Sequence, residues 1–452
     1  MDDETIVALA TPPGRAGIAV IRLSGSKSQT IVRDLFEPLP AHWQARKSYH
    51  GFLRFQGRRI DECLLTMFQA PRSYSGEDMA EISLHSNLSI IEAVIGQACR
   101  LGARPALPGE FTYRAFRNGK MDLLQAEAVN DLIRANSRVF ALMEFGNLEG
   151  RLSRMVDALR TRLLHMAVAV ETEIEFAEDQ RLDSVAVDAG LTEAVKDLEK
   201  ILEHNRFNEI LDQGMHIVIA GRVNVGKSSL FNALLMKERS IISPLPGTTR
   251  DYIQEKLQLD GMPFQITDMA GFRNDTGDDI ENQGMRRSLD KIAQADAVIF
   301  MVDASQPLQA GDHEIYGLIR GKKRILLANK NDRALAGAIR GIRRAFPGET
   351  VVPVSARDGE NLEPLVDFLK ILWREIAAPG MDTVVNLRQK ALLEQLLLNL
   401  RQIERWHAQR PPQTEMIAEE IRQGLQRIGE LTGAVSSAEI LDGIFARFCI
   451  GK

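Results

Sequence analysis

The chain has little cysteine, no long apolar run and no surplus of positive charge, and each shortage argues against a class of protein. Its three cysteines, Cys63, Cys99 and Cys449, lie far apart and form no Cys-x-x-Cys pair. That argues against a disulfide scaffold or a zinc site and fits a reducing compartment. No stretch of 18 apolar residues occurs, and the opening MDDETIVALA is acidic where a secretory leader would be basic. A cytoplasmic protein without membrane association is the expectation. Acidic residues outnumber basic ones, 61 to 56, for a formal charge of −5. Bulk charge therefore gives no non-specific coat for nucleic acid, although a local basic site for folded RNA stays open. The runs Lys322-Lys323-Arg324 and Arg340 to Arg344 read as solvated surface.

What is present is an ordinary globular composition, 44% hydrophobic and 26% charged, in 452 residues. That length suits three domains at about 150 residues each. Residues 1–118 read as α+β, with strand-like runs Gly17 to Leu23 and Leu64 to Phe68 bounded by Pro and Gly. From Met121 the pattern turns helical: Leu152, Val156, Leu159, Leu163, Met166, Val170 and Ile174 recur at steps of three or four, a packing stripe. After Gly214, apolar strands alternate with helical stretches, the mark of a mostly parallel α/β sheet. After Pro379 helical stripes return, Leu392 to Ile403 and Ile417 to Leu431, broken by Pro411-Pro412, with a capping box at Ser436 and Glu439. The expected architecture is a multidomain α/β chain. An α+β domain (1–118) precedes a discontinuous all-α helical domain (119–212 and 377–452), into which a P-loop α/β domain (213–376) is inserted.

The inserted block carries the chemistry. Gly221-Arg222-Val223-Asn224-Val225-Gly226-Lys227-Ser228 fits GxxxxGK[ST] directly after a predicted strand, and Ser229 continues it. Glycines let backbone N–H groups turn toward phosphates, Lys227 neutralises the β/γ oxygens, and the Ser228 hydroxyl is a Mg²⁺ ligand. Asp268 and Gly271, in Asp-x-x-Gly after the next strand, suit water-mediated Mg²⁺ binding and γ-phosphate sensing. Asn329-Lys330-Asn331-Asp332 fits NKxD, whose aspartate accepts from guanine N1 and its 2-amino group, a donor adenine lacks. Ser355-Ala356-Arg357 would supply backbone contacts to the guanine O6. Gly247-Thr248-Thr249-Arg250-Asp251 lies where a switch threonine ligates Mg²⁺ only while the γ-phosphate is present; Thr249 is preferred, Thr248 the alternative. The residue after Gly271 is Phe272, which cannot orient water as the glutamine of Ras-like switches does. Together these elements predict a GTP-hydrolysing switch.

Both chain ends add a resemblance. Thr5 to Ala8, Thr11 to Arg15, Ile21 to Gly25, Gly76-Glu77-Asp78, Pro108 to Thr112, Lys120 to Leu123, Gln125 to Ala128 and the closing Phe448-Cys449-Ile450-Gly451-Lys452 are similar to the MnmE (TrmE) family of tRNA-modification GTPases. The resemblance implies an N-terminal domain that holds a homodimer and binds a formyl- or methylene-tetrahydrofolate, with Arg22, Glu81, Lys120 and Lys452 on the folate positions. It implies that Asn224 helps bind K⁺ in place of an arginine finger when two G domains close. It also implies that Glu281 positions the attacking water and that Cys449 is linked to the modification chemistry. A flavoprotein partner of the MnmG (GidA) type, forming a hetero-oligomer, and tRNA as substrate follow from the same resemblance. Two departures stand out: His85-Ser86-Asn87 replaces the family's His-Gly-Gly, and Met269 replaces a usual threonine. The alternative is a ribosome-assembly switch of the Era or EngA type, which carries a KH-type RNA module, but no GxxG clamp in a suitable helix-turn context and no basic tail is found.

Overall fold

The computed structural model describes residues 4–135, 137–175, 184–202, 210, 214–237, 254–259, 261–268, 291–376, 383–409 and 413–452. Contacts divide the chain into two units, the first comprising 1–134, 144–202 and 387–452, the second 135–143 and 203–386.

The first unit opens with β1 (Thr5–Leu9), β2 (Ala19–Ser24), α1 (Ser28–Leu35), β3 (Phe36–Glu37), β4 (Ser48–Phe55), β5 (Arg58–Phe68), β6 (Met79–Leu84), α2 (Leu88–Arg100), β7 (Ala103–Pro105) and α3 (Glu110–Arg117). The sheet order is β3-β4-β5-β6-β2-β1-β7. Ile21, Leu23, Leu65 and Ile82 meet Ile31, Leu35, Ile91 and Val94 of the helices in one buried core. Strand alternation then puts Arg22 and Glu81 on the opposite face, where the register sets them directly across from each other.

The helical part follows: α4 (Leu123–Arg134), α5 (Arg138–Leu148), whose residues 138–143 belong to the second unit, α6 (Arg151–Glu175) and α7 (Ser184–Leu202). The stripe from Leu152 to Val170 is buried, but Ile174 at its end is 39% exposed.

The second unit holds β8 (Met215–Ala220), α8 (Lys227–Lys237), β9 (Gln254–Leu259), β10 (Met262–Asp268), β11 (Ala297–Asp303), α9 (Ala310–Ile319), β12 (Lys323–Asn329), α10 (Ala338–Ala345), β13 (Val351–Pro353) and α11 (Glu363–Ile376). The order is β13-β12-β11-β8-β10-β9, parallel except for β9 at one edge. Apolar clusters cover both faces of this sheet, as a parallel sheet requires.

The chain then returns to the first unit with α12 (Leu387–His407), α13 (Thr414–Thr432) and α14 (Ala438–Phe445). The buried stripe of α12 is centred on Leu393, Leu396, Leu400 and Ile403, with neighbouring Leu392 only half-buried. Gly424 lets α13 approach α6 closely, since a Cβ there would lie 2.8 Å from the Leu163 side chain. Glu127 of α4, buried, takes both arms of Arg388 at 2.7 Å each and Gln389 Nε2 at 2.7 Å, a two-pronged clamp of the strong charge-assisted kind. The last helix begins one residue later than expected. Ser437, not Ser436, caps it by accepting from Ile440 N, so Glu439 does not stand at the position a capping box needs.

Candidate functional site

In the second unit, the ends of β8, β12 and β13 carry three motifs to the C-terminal edge of the sheet, where open α/β sheets bind ligands. β8, buried except at half-buried His216, leads into Gly221, whose Cβ, if present, would lie 2.6 Å from the Met301 carbonyl. Asn224 (φ +64°) and Gly226 (φ +102°) then turn the loop in the left-handed region. Lys227 opens α8, buried, with Nζ donating to the carbonyls of Gly221 and Arg222 at 3.0 Å each. Ser228 and Ser229 are exposed on the first turn, and Asn224 is exposed beside them.

Buried Asn329 joins these pieces. Its Nδ2 donates to Val225 O at 2.7 Å, and its Oδ1 accepts from Ala356 N at 2.9 Å. A side chain at 226 would come within 2.2 Å of that Nδ2, so the glycine is required by close approach and by its φ. Lys330 is itself left-handed, φ +61°, and leads into the short 3₁₀ turn Asn331–Arg333 that carries Asp332. Ser355 Oγ lies 3.2 Å from Asp332 Oδ1 and 2.7 Å from Asp358 Oδ2, and its one proton serves one carboxylate at a time. Arg357 is exposed. A tight left-handed loop, a buried lysine that donates to loop carbonyls, and the Asp332 carboxylate within reach of the Ser355 hydroxyl fit a guanine nucleotide. Asp268 is the last residue of β10. Thr248, Thr249, Gly271 and Glu281, with Met269 and Phe272, lie outside the described residues.

The first unit gathers a second constellation. Arg22 Nε and Nη2 donate to Glu81 Oε1 at 2.9 and 2.7 Å, and Nη1 donates to the Gly451 carbonyl at 3.2 Å. The Arg22 guanidinium lies 5.3 Å from the Tyr74 ring centre and 5.6 Å from that of Phe111. Backbone bonds Gly109 N to Cys449 O and Phe111 N to Lys452 O fasten residues 449–452 to the start of α3. Burial, then the Arg22 charge, pushes the Lys452 ammonium below the usual lysine range, against the pull of Glu81 and Cys449. The structure thus brings Arg22, Glu81 and Lys452 together. Lys120 is held separately, Nζ donating to the Pro71 carbonyl at 2.9 Å. Cys449 is exposed; Cys63 sits in the sheet core, its thiol pushed up to about 12 by burial and then by Asp61 and Glu62, and half-buried Cys99 packs against that core.

The MnmE helical domain profile matches residues 123–449, and that of the GTP-binding protein TrmE N-terminus matches 5–120. The tRNA modification GTPase MnmE of Thermotoga petrophila is 37% identical over 455 residues, covering 99% of this chain and 100% of that protein. The chain belongs to the MnmE family. The MnmE of Symbiobacterium thermophilum is 38% identical over 463 residues, covering all of both chains. Among solved structures, Aquifex aeolicus Era aligns with 41% of this chain and 66% of its own, at 28% identity and a TM-score of 0.30.

Several residues of this MnmE-family chain escaped the sequence reading. Glu77 Oε2 accepts from Ser24 Oγ and from Arg114 Nη1, both at 2.8 Å; Arg114 Nη2 reaches Glu110 Oε1 at 2.9 Å, and Arg104 grips Glu110 with two arms. Glu110 and Arg114 are buried, so this network fixes the loop 73–78 and the start of α3, which carry Tyr74 and Phe111. Burial alone would raise the Glu110 carboxyl, but Arg104, the Leu107 amide and Arg114 hold it below the usual carboxylate range. Charged residues inside the motifs Gly76-Glu77-Asp78 and Pro108 to Thr112 were the available signal. Asn87 explains one departure from the family pattern: its side chain caps α2, accepting from Ser89 N and Ile90 N, while Ser86 Oγ donates to Gly14 O.

Proposed function

We propose that this chain is a GTP hydrolase that drives modification of the tRNA wobble uridine. The observation that carries the reading is the Asn329 staple, which ties Val225 of the phosphate loop to Ala356 on either side of the Lys330–Asp332 segment. That arrangement supports a site for base and polyphosphate together, and the tRNA-modifying activity rests on kinship with tRNA modification GTPases. Lys227, freed from its loop carbonyls, would neutralise the β/γ-phosphates, and Asp332, steadied by Ser355, would accept from guanine. Ser228, Thr249 and Asp268 would hold Mg²⁺ and Asn224 K⁺, cations that neutralise charge developing on the transferring phosphoryl group. Asn224 suits that task, being exposed with no hydrogen bond committing its amide among the described residues. Glu281 would orient the attacking water.

Residues 1–118 would bind the folate one-carbon carrier and pair two copies of the chain. Arg22 and Lys452 would meet its carboxylates, Glu81 its ring N–H donors, and Cys449 would serve the modification step. With a flavoprotein of the MnmG type the protein would add a (carboxymethyl)aminomethyl group to C5 of the uridine. The test is mass spectrometry of wobble uridine from cells lacking this protein and re-expressing wild type or Asp332→Asn. Wild type restores the modification, whereas the variant, whose amide mismatches guanine and suits xanthosine triphosphate, does not. Restoration by neither, with both proteins present at normal level, would overturn the tRNA reading.

A further inference from the structure

Asp303 belongs to none of the nucleotide motifs, yet it is buried at the end of β11 directly beside Asn329 in the strand register. Its carboxylate is saturated. Oδ1 accepts from Ser305 N at 2.9 Å and Ser305 Oγ at 2.6 Å; Oδ2 accepts from Gln306 Nε2 at 3.0 Å and Lys330 Nζ at 2.7 Å. A second tie runs in parallel, Ala304 N donating to Asn329 O at 2.8 Å. Lys330 needs such anchoring. It sits in left-handed backbone, uncommon for a residue with a long side chain, and its four-carbon stem is otherwise free to rotate.

We infer that Asp303 is a positioning residue for the guanine base, acting through Lys330. By fixing the ammonium, the carboxylate lays the lysine stem along one line and holds the left-handed turn from which Asp332 projects. It also neutralises the lysine charge, so the ammonium is not available to swing toward the phosphates. The base then meets a preset apolar stem beside a preset carboxylate, and binding does not have to freeze the lysine afresh. The inference rests on the guanine-nucleotide reading above.

The experiment is a double-mutant cycle on the full-length chain, read with a fluorescent GDP analogue and stopped-flow dissociation. Asp303→Asn presents an amide N–H₂ to two donors and is expected to weaken GDP about tenfold, mainly through faster release, while turnover at saturating GTP changes less than twofold. Lys330→Met keeps the stem but drops the ammonium. In that background Asp303→Asn is expected to add nothing, the non-additivity that marks one residue acting through another. Ser305→Ala removes a donor from the far side of the carboxylate and is expected to leave GDP affinity within twofold. Equal losses from Asp303→Asn in both backgrounds, or a Ser305→Ala loss as large as that of Asp303→Asn, would overturn the inference in favour of a role confined to the turn at Ser305 and Gln306. Wild-type protein that fails to bind the analogue would overturn the nucleotide reading as well. Thermal melts of each variant identify any loss that comes from unfolding.

Discussion

Asn224 carries the sharpest test of the nucleotide chemistry. Phe272 stands where Ras-like switches keep a glutamine, and no sequence motif marks an arginine finger, so stabilisation of the leaving phosphate must come from another cation. GTP turnover is expected to be at least tenfold faster in K⁺ than in Na⁺ at equal ionic strength, by analogy with arginine fingers worth about 10³–10⁵ in rate. Asn224→Ala should lose that preference with little loss of GTP affinity, and equal wild-type rates in the two salts would refute the K⁺ role. A second residue-scale test lies in the first unit. His85 Nδ1 is 2.7 Å from Asp61 Oδ1, and that hydrogen bond and charge raise the His85 pKa. With the folded value raised, the contact adds stability below the free-histidine range and loses it as pH climbs through the raised value. NMR titration should find His85 protonated to higher pH than a free histidine, and Asp61→Asn should bring it back.

Helix α2 shows how an element depends on one side chain. Asn87 stands at its N-cap in extended backbone and satisfies two amides that the helix itself leaves open. Asn87→Ala should cost about 1 kcal/mol of stability, whereas Asn87→Gly, the glycine usual in the family, should cost only a few tenths; chemical denaturation of both variants checks the difference. Elements of this kind were unevenly legible in the sequence. The buried parallel strands were plain because each carries a continuous apolar run, Ile217 to Ala220 in β8 and Ile325 to Ala328 in β12. The β4–β5 hairpin was read only at its apolar end. Arg58 to Glu62 face water or half-burial, and an antiparallel strand with one wet face gives no hydrophobic run to find. The last helix was misplaced by one residue because two serines adjoin and either could cap it. The nucleotide motifs were legible because phosphate binding dictates residue type at fixed spacing. Asp303 and Tyr74 were not, since each acts through a partner brought close only by the fold.

At the scale of the molecule, the two units pose separate tests. Arg22→Ala should weaken folate binding at least tenfold, since it removes the partner of Glu81 and the cation over two rings, and should leave GTP affinity unchanged because the two constellations belong to different units. Calorimetry with each ligand decides both halves.

The first unit is assembled from segments that flank the second, and the clamp of Arg388 on Glu127 spans that gap in the chain. This has a consequence for the order of assembly. A chain still being made cannot close its helical bundle until the whole intervening unit has been synthesised. If that unit stays molten, everything between Leu202 and Leu387 is one long floppy tether. At about 0.6 kcal/mol per doubling of loop length, the longer that tether, the more closing the bundle costs. A nucleotide that tightens the second unit should therefore quiet amide exchange in α12 and α13, which belong to the first.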